Sequence, residues 1–465
     1  MLWKELAVEL FKLRVENLGR IKQAELGIRP LTVFIGPNNT NKTWTAYALY
    51  ALAQRLCALP SYASSPVFSP AAELVEVDPQ LQSAVEEQSA RFRSLLGQGE
   101  EAGTIVGGVD RSAMLEGLSY PLRFRLDAKG IAKVLAMPWE DLNQASVTLE
   151  VDERQFSDAP WDRVEFTFRK VEPSFFQAVV RGGDGRSASQ LTSGVLSEDR
   201  LIGKYVGPAI GCTLWGEFSK VVCLPAERKA LVFLADLIDE RFHQFLSMPL
   251  RTFLTFLLQL QLAAGVGIVG EMGSELPRLL EEKILEGRVA FAQEAGTVTL
   301  RFYPHDGPAL PIPAASSLVR ALAVLDLYLK FVAAPGDLMV IDEPEMNAHP
   351  QAQLMIAELL AILVNKGIRV LVTTHSPYIV DHLNNLIAAA TLPAAKQDEI
   401  LPRFSLGTAE AFLPSENVAA YLFSEDGQVT DVFKEEHRID WGTFGEVSDG
   451  VGNLYGDILE VAAQE

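Results

Sequence analysis

Apolar positions along the chain fall into three kinds of run. Short, nearly continuous runs at Leu31-Thr-Val-Phe-Ile35, Asp337 to Ile341 and Arg369 to Thr373 predict strands covered on both faces. Helical spacing predicts helices at Lys42 to Leu59, about Lys229 to Leu257, Glu275 to Leu285, from near Ser316 and from near Pro350. Alternation, as in Val164-Glu-Phe-Thr-Phe168, predicts antiparallel strands over Ser146 to Val180 and returns at Val418 to Phe423. Lys12 to Ile35 reads as short strands with turns at Asn17-Leu18-Gly19 and near Pro30, and a strand pair is expected at Gly287 to Ala292 and Val298 to Tyr303. Between Pro60 and Gly130, Ser, Pro and Gly punctuate the chain, and one amphipathic helix is expected, near Gln80 to Leu96. A last amphipathic helix is expected near Val447 to Val461. The strand–helix–strand order after Asp337 predicts a parallel sheet.

With 465 residues, 48% of them hydrophobic, the chain can bury a large core. Its net charge of −20 works against loose binding to nucleic acid without excluding a local basic patch. Cys57, Cys212 and Cys223 are scattered, without metal-ligand spacing, and the first fifteen residues lack the apolar stretch of a signal peptide. A reducing cytoplasmic location is expected. From Thr252 to Gly270 there is no charge, but Gln259, Gln261, Gly265, Gly267 and Gly270 point to a buried helix and a Gly-rich turn rather than a membrane span.

The Leu31–Ile35 run leads into Gly36-Pro37-Asn38-Asn39-Thr40-Asn41-Lys42-Thr43 and then a helix. This is the phosphate-loop pattern except at Asn41, where a second glycine is usual. In such a loop Gly36, Asn38, Asn39, Thr40 and Asn41 cradle phosphates at a helix N-terminus, Lys42 reaches the terminal phosphates and Thr43 holds Mg²⁺. Asn tolerates left-handed backbone angles, so Asn41 can keep the loop shape, or it can crowd the phosphates. The competing reading is an ordinary turn before a helix.

Leu338-Met-Val-Ile-Asp342 is an apolar run ending in two carboxylates, Asp342 and Glu343, a costly arrangement without a partner. Mg²⁺ on Asp342, and a water activated by Glu343 to attack a terminal phosphate, supply one. His375, just past the end of the next strand, can contact the γ-phosphate or that water; a structural histidine is the alternative. Ser316 and Ser317 open a helix with Leu318, Leu322, Leu325 and Leu329 on its apolar face. They read as helix caps, or as donors to a γ-phosphate.

Together with Val15-Glu-Asn-Leu-Gly-Arg-Ile-Lys22, Leu224-Pro-Ala-Glu-Arg228, Asp342-Glu-Pro-Glu345, His349-Pro350 and Thr374-His-Ser-Pro377, these segments resemble the SMC/RecF-like branch of ABC ATPases. Within it, they resemble the AAA-type ATPases of the overcoming-lysogenization-defect (OLD) group. The resemblance covers residues 12 to 60 and about 220 to 460. The signature at Ser316-Ser317 lacks the Ser-Gly-Gly of transporter ATPases. The resemblance implies an α/β fold: an ABC-type P-loop ATPase head with a mixed or parallel sheet core, a helical lobe and an inserted α+β segment. The expected division is 1–60 for the phosphate-loop part of the head, 61–220 for the insertion, 221–335 for the helical lobe, and 336–465 for the rest of the head with a C-terminal α/β tail.

By the same resemblance the cofactors are ATP and Mg²⁺, held between two copies, with Ser316 and Ser317 serving the partner's site in a homodimer or larger homo-oligomer. An effector protein, a nuclease among the candidates, is expected as a separate polypeptide, since only about 90 residues follow His375. Arg228 is read as a structural ion pair ahead of a contact to DNA or phosphate. The leading functional expectation is an ATPase controlling an effector in anti-phage defence. The alternatives are a DNA-binding repair or maintenance ATPase, and an ATP-binding scaffold with little hydrolysis. No membrane partner is expected.

Overall fold

A computed structural model describes residues 11–57, 74–84, 86–87, 90, 94, 104–110, 118–142, 144–151, 163–172, 175–182, 187–193, 220–234, 245–294, 297–434 and 438–442. The helix expected near Val447 to Val461 lies outside these residues, as does part of the one expected at Gln80 to Leu96.

The chain opens with a hairpin, β1 (Phe11–Leu18) and β2 (Ile21–Ile28), followed by β3 (Leu31–Ile35) and helix α1 (Lys42–Cys57). Next come β4 (Glu76–Val77), β5 (Thr104–Asp110), β6 (Leu122–Leu126), α2 (Ala128–Leu135) and β7 (Ser146–Val151). β8 (Arg163–Glu172), β9 (Phe175–Gly182) and β10 (Ser187–Ser193) follow. The order β2-β1-β7-β6-β4 makes one antiparallel sheet and β10-β9-β8-β5 a second. β5 and β6 fall where only a helix was expected. Leu122-Arg-Phe-Arg-Leu126 alternates buried and exposed, but the run is short and flanked by turn residues, while Gly107 and Gly108 blur β5. Because β7 and β6 extend the sheet begun by β1, a boundary at residue 60 cuts across one sheet.

The second half begins with β11 (Val221–Leu224) and the helices α3 (Arg228–Leu234), α4 (Met248–Gly265) and α5 (Glu275–Leu280), the last extended by a π turn over Glu281–Leu285. The small sheet β12 (Gly287–Glu294), β13 (Thr297–Pro304) and β14 (Leu310–Pro311) leads to α6 (Ser317–Phe331). Then come β15 (Leu338–Asp342), α7 (Pro350–Asn365), β16 (Arg369–Thr374), α8 (Pro377–Ala390), α9 (Ala394–Ile400), β17 (Val418–Phe423) and β18 (Val429–Asp431). α4 runs past Leu257 to Gly265. The expected Gly-rich turn after it is pinned to α6 and the residues beyond: the Gly270 amide donates to the Lys330 carbonyl at 2.8 Å and the Glu271 amide to the Ala333 carbonyl at 3.0 Å. Among the described residues no helix is long and apolar enough to cross a membrane.

The central sheet has the order β11-β15-β16-β3-β17-β18, parallel except for β18. Successive side chains of a strand leave by opposite faces, so both faces need cover. Phe34, Val340, Leu371 and Phe423 enter a core shared with α1 and the antiparallel sheet. Leu31, Val33, Met339, Ile341 and Val372 enter another, shared with α6, α7 and α8. Val418–Phe423, read as alternating, is an inner strand beside β3 in which Leu422 alone is not fully buried; small Ala419 and Ala420 lowered its apolar signal. α6 is covered well beyond its expected leucine face, with Val319 and every residue from Ala321 to Leu329 buried. Lys330 ties it to its surroundings, donating to Asp326 at 2.5 Å, Glu281 at 2.6 Å and the Val289 carbonyl at 2.8 Å.

Candidate active site

In a parallel sheet the crevice outside the carboxyl ends of the strands is where ligands bind. Here the register brings Ile35, Leu224, Asp342 and Thr374 to that edge. The loop after β3 therefore meets the acidic end of β15, although Thr43 and Asp342 are 299 positions apart in sequence.

Gly36 has φ +142°, and a Cβ there would collide with the Phe423 carbonyl oxygen, so β17 enforces glycine at the loop's first position. Asn38 and Asn39 are exposed, and Asn39 is left-handed at φ +62°. Thr40 is buried and donates to the Pro37 carbonyl at 2.9 Å. Asn41 also adopts the left-handed conformation, φ +67°. Its side chain turns away to the β1–β2 hairpin, where Oδ1 accepts the Arg20 amide at 2.9 Å and the carboxamide packs over Gly19. Asn41 thus keeps the loop shape, and its carboxamide is committed to the hairpin rather than to the loop mouth.

Lys42 is buried and curls over its own loop, Nζ donating to the Gly36 carbonyl at 2.8 Å and the Pro37 carbonyl at 2.6 Å. Burial lowers its pKa, while Glu343 and Asp342 oppose that shift. Thr43 Oγ1 donates to Asp342 Oδ1 at 3.0 Å. Asp342 also accepts from Tyr47 at 3.2 Å and, in a shorter contact, from Thr373. Burial raises the Asp342 pKa, against the pull of the Thr373 and Thr43 hydrogen bonds.

Glu343 is left-handed at φ +46°, unusual outside Gly, Asn and Asp and costing about 1 kcal/mol. Its amide donates to the Thr373 carbonyl at 3.1 Å, which fixes the turn. Its carboxylate is only a quarter exposed and lies 3.5 Å from His375 Nδ1, an ion-pair approach longer than a well-formed hydrogen bond. The imidazole lowers the Glu343 pKa and Glu343 raises that of His375. The pair thus favours carboxylate and imidazolium together.

Arg228 corrects the ion-pair expectation. It is 1% exposed and donates to main-chain carbonyls: Ala321 at 2.8 Å, Pro225 at 3.0 Å, Asp342 at 2.7 Å and Glu343 at 3.0 Å. A planar five-donor group suits such a junction of four carbonyls. It splints the acidic turn to α6 and α3 and is too buried to reach DNA or phosphate.

Ser316 caps α6, its side chain accepting the Val319 amide at 3.2 Å. Ser317 accepts from Arg320 at 3.3 Å. Among the described residues neither serine is hydrogen-bonded to the loop at 36–43 of its own chain. Tyr47, Thr373, Thr374 and Glu345 belong to the site but were given no role from sequence. The paired threonines closing an apolar strand, and a third acid two residues after Glu343, were the available signals.

Thr43 and Asp342 offer hard oxygen ligands to a small divalent cation, and a cation there would remove the penalty on the buried Asp342 carboxylate. The lysine, the helix N-terminus and the loop suit an anionic phosphate chain. A site with one carboxylate and one hydroxyl is of the kind Mg²⁺ uses beside phosphates.

Residues 268–380 match the family described as AAA ATPase domain, a span that includes Ser316, Ser317, Asp342, Glu343 and His375 but not the phosphate loop. No curated protein matches the chain. Among solved structures it is similar to an Smc head bound to the C-terminal winged-helix domain of ScpA, at 14% identity over 80% of this chain and 91% of that one, TM-score 0.31. It is also similar to the Smc head domain with an extended coiled coil bound to the C-terminal domain of ScpA from Pyrococcus furiosus, at 11% identity, 90% and 95% coverage, TM-score 0.33. The SMC head domain from Thermotoga maritima is a third, at 11% identity, 80% and 90% coverage, TM-score 0.28. Strand order and register give the chain an α/β fold whose largely parallel central sheet carries the loop at 36–43 and the acid pair at one edge, and residues 268–380 carry the AAA ATPase domain match.

Proposed function

We propose that the protein binds Mg²⁺-ATP and hydrolyses it at a site completed by a second copy, and that its nucleotide state controls a separate effector protein in cytoplasmic anti-phage defence. The observation that carries the ATPase reading is the 3.0 Å contact of Thr43 with Asp342, with Glu343 next in the chain. Mg²⁺ supplies charge neutralisation on the phosphates when bound. Thr43 and Asp342 would hold it, and Lys42 would exchange the Gly36 and Pro37 carbonyls for the terminal phosphates. Glu343, kept ionised, accepts a proton from the attacking water, and His375 orients the water or the γ-phosphate.

Ser316 and Ser317 open α6 where the family resemblance has its signature, and that resemblance supports a role for them in the partner's site. The OLD-type motifs support the defence role and the separate effector.

The experiment is Glu343→Gln. Turnover is expected to fall at least ~100-fold while ATP still binds and holds a dimer, read by phosphate release and by light scattering with and without ATP. Undiminished turnover removes Glu343 as the base. Co-purification with the products of neighbouring genes tests the effector.

A further inference from the structure

Glu345 has no part in the chemistry above, yet it is 5% exposed. Burying a carboxylate is costly unless hydrogen bonds or charge compensate. Both of its hydrogen bonds come from the end of β16 and reach the same oxygen. The Thr374 hydroxyl donates to Oε1 at 2.6 Å, and the His375 amide donates to Oε1 at 3.2 Å. Oε2 is buried and accepts nothing from the chain. Burial raises the Glu345 pKa, and the Thr374 hydroxyl, neighbouring amides and the charge of His375 pull it back down; a neutral glutamine carbonyl could serve the two donors, so a carboxylate here needs another reason.

His375 supplies it. Its Nδ1 lies 3.5 Å from Glu343 Oε1 and 4.0 Å from Glu345 Oε1, and forms no hydrogen bond of good geometry. The same two segments are joined a second time. Gln353 donates to the Ala348 carbonyl at 2.9 Å and accepts the Ser376 hydroxyl at 2.5 Å, while the Ala348 amide donates to the Glu345 carbonyl at 2.8 Å. Residues 345–353 and 374–376 are therefore braced to each other at two places, with His375 on the second segment.

We infer that Glu345 is a positioning residue, which fixes the end of β16 so that His375 stands against Glu343 and brackets the imidazole with a second negative charge. The raised His375 pKa agrees: Glu343 is the main cause, the charge of Glu345 acts the same way, and burial and the Lys42 ammonium oppose them. The inference rests on the reading of Glu343 and His375 as the reacting pair.

The test is an NMR titration of the His375 imidazole in nucleotide-free protein, assigned by its loss in His375→Gln, beside ATP turnover. Glu345→Gln keeps the acceptor and removes the charge. Its His375 titration is expected to move down toward the ordinary histidine range, with kcat reduced roughly tenfold or more and KM unchanged. Glu345→Asp, which keeps the charge, restores the titration toward that of the unaltered chain. An imidazole that titrates identically in Glu345→Gln and the unaltered chain overturns the inference. If the unaltered chain does not split ATP, the ATPase reading fails, and the imidazole titration still decides the role of Glu345.

Discussion

Asn41 and Arg20 are joined by a 2.9 Å hydrogen bond from the Arg20 amide to the Asn41 carboxamide, which ties the phosphate loop to the turn of the first hairpin. Asparagine here combines a left-handed backbone with a side-chain acceptor that glycine lacks. Asn41→Gly should lose about 1 kcal/mol through the missing hydrogen bond. Asn41→Ala should lose about 2 kcal/mol, because alanine also resists φ +67°. Urea unfolding of the three proteins checks the order; equal stability of Asn41→Ala and the unaltered chain would contradict it.

Arg228 should tolerate no replacement. Arg228→Lys offers a compact ammonium where a fork bridges four carbonyls, and Arg228→Met offers no donor, leaving buried acceptors unmet. We expect about 3 kcal/mol or more lost in each, measured by denaturant unfolding. A methionine variant of unchanged stability would show that water serves those carbonyls equally well.

A shared site predicts complementation. Lys42→Ala and Ser317→Arg should each be inactive alone. Mixed and allowed to exchange, half the dimers carry one intact site of two, so about a quarter of full turnover should return. Mixtures that stay inactive after verified exchange would mean that α6 does not complete its neighbour's site.

The sequence announced the site more fully than its supports. The Lys42 loop, the Asp342-Glu343 pair and the strand leading to His375 carry strong local patterns of residue type and spacing, and the parallel register brings them to one edge of the sheet. Arg228 is different: its partners are main-chain carbonyls at Ala321, Pro225, Asp342 and Glu343, and carbonyls leave no mark in a sequence. Glu345 stood inside a recognised motif, but its burial against Thr374 exists only once β15 and β16 lie side by side. In the fold, strands buried on both faces were legible as apolar runs. β17 was legible as an alternating stretch, and it is a strand, but one buried on both faces, because Ala419 and Ala420 lower its apolar signal.

Asp326 should give the stability a pH dependence. Burial raises its pKa to about 7, with Lys330 pulling the other way. The folded state therefore holds this proton at pH values where an unfolded aspartate has lost it. The resulting stability is complete below about pH 4 and is lost as pH rises through about 7. Between pH 5 and 8 the unaltered chain should lose more melting temperature than Asp326→Asn, by about 2 °C or more. Parallel melting curves for the two across that range would remove Asp326 as the source.

The sheet order also sets a timetable for synthesis. β3 is made long before the two strands that flank it, Arg369–Thr374 and Val418–Phe423. The strand that launches the loop at 36–43 must wait for those later segments before it is hydrogen-bonded on either side. Pairing over such separations is slow, and meanwhile an apolar ribbon is left unshielded. Nascent chains stalled before residue 369 should therefore be unable to retain nucleotide and should depend on chaperones.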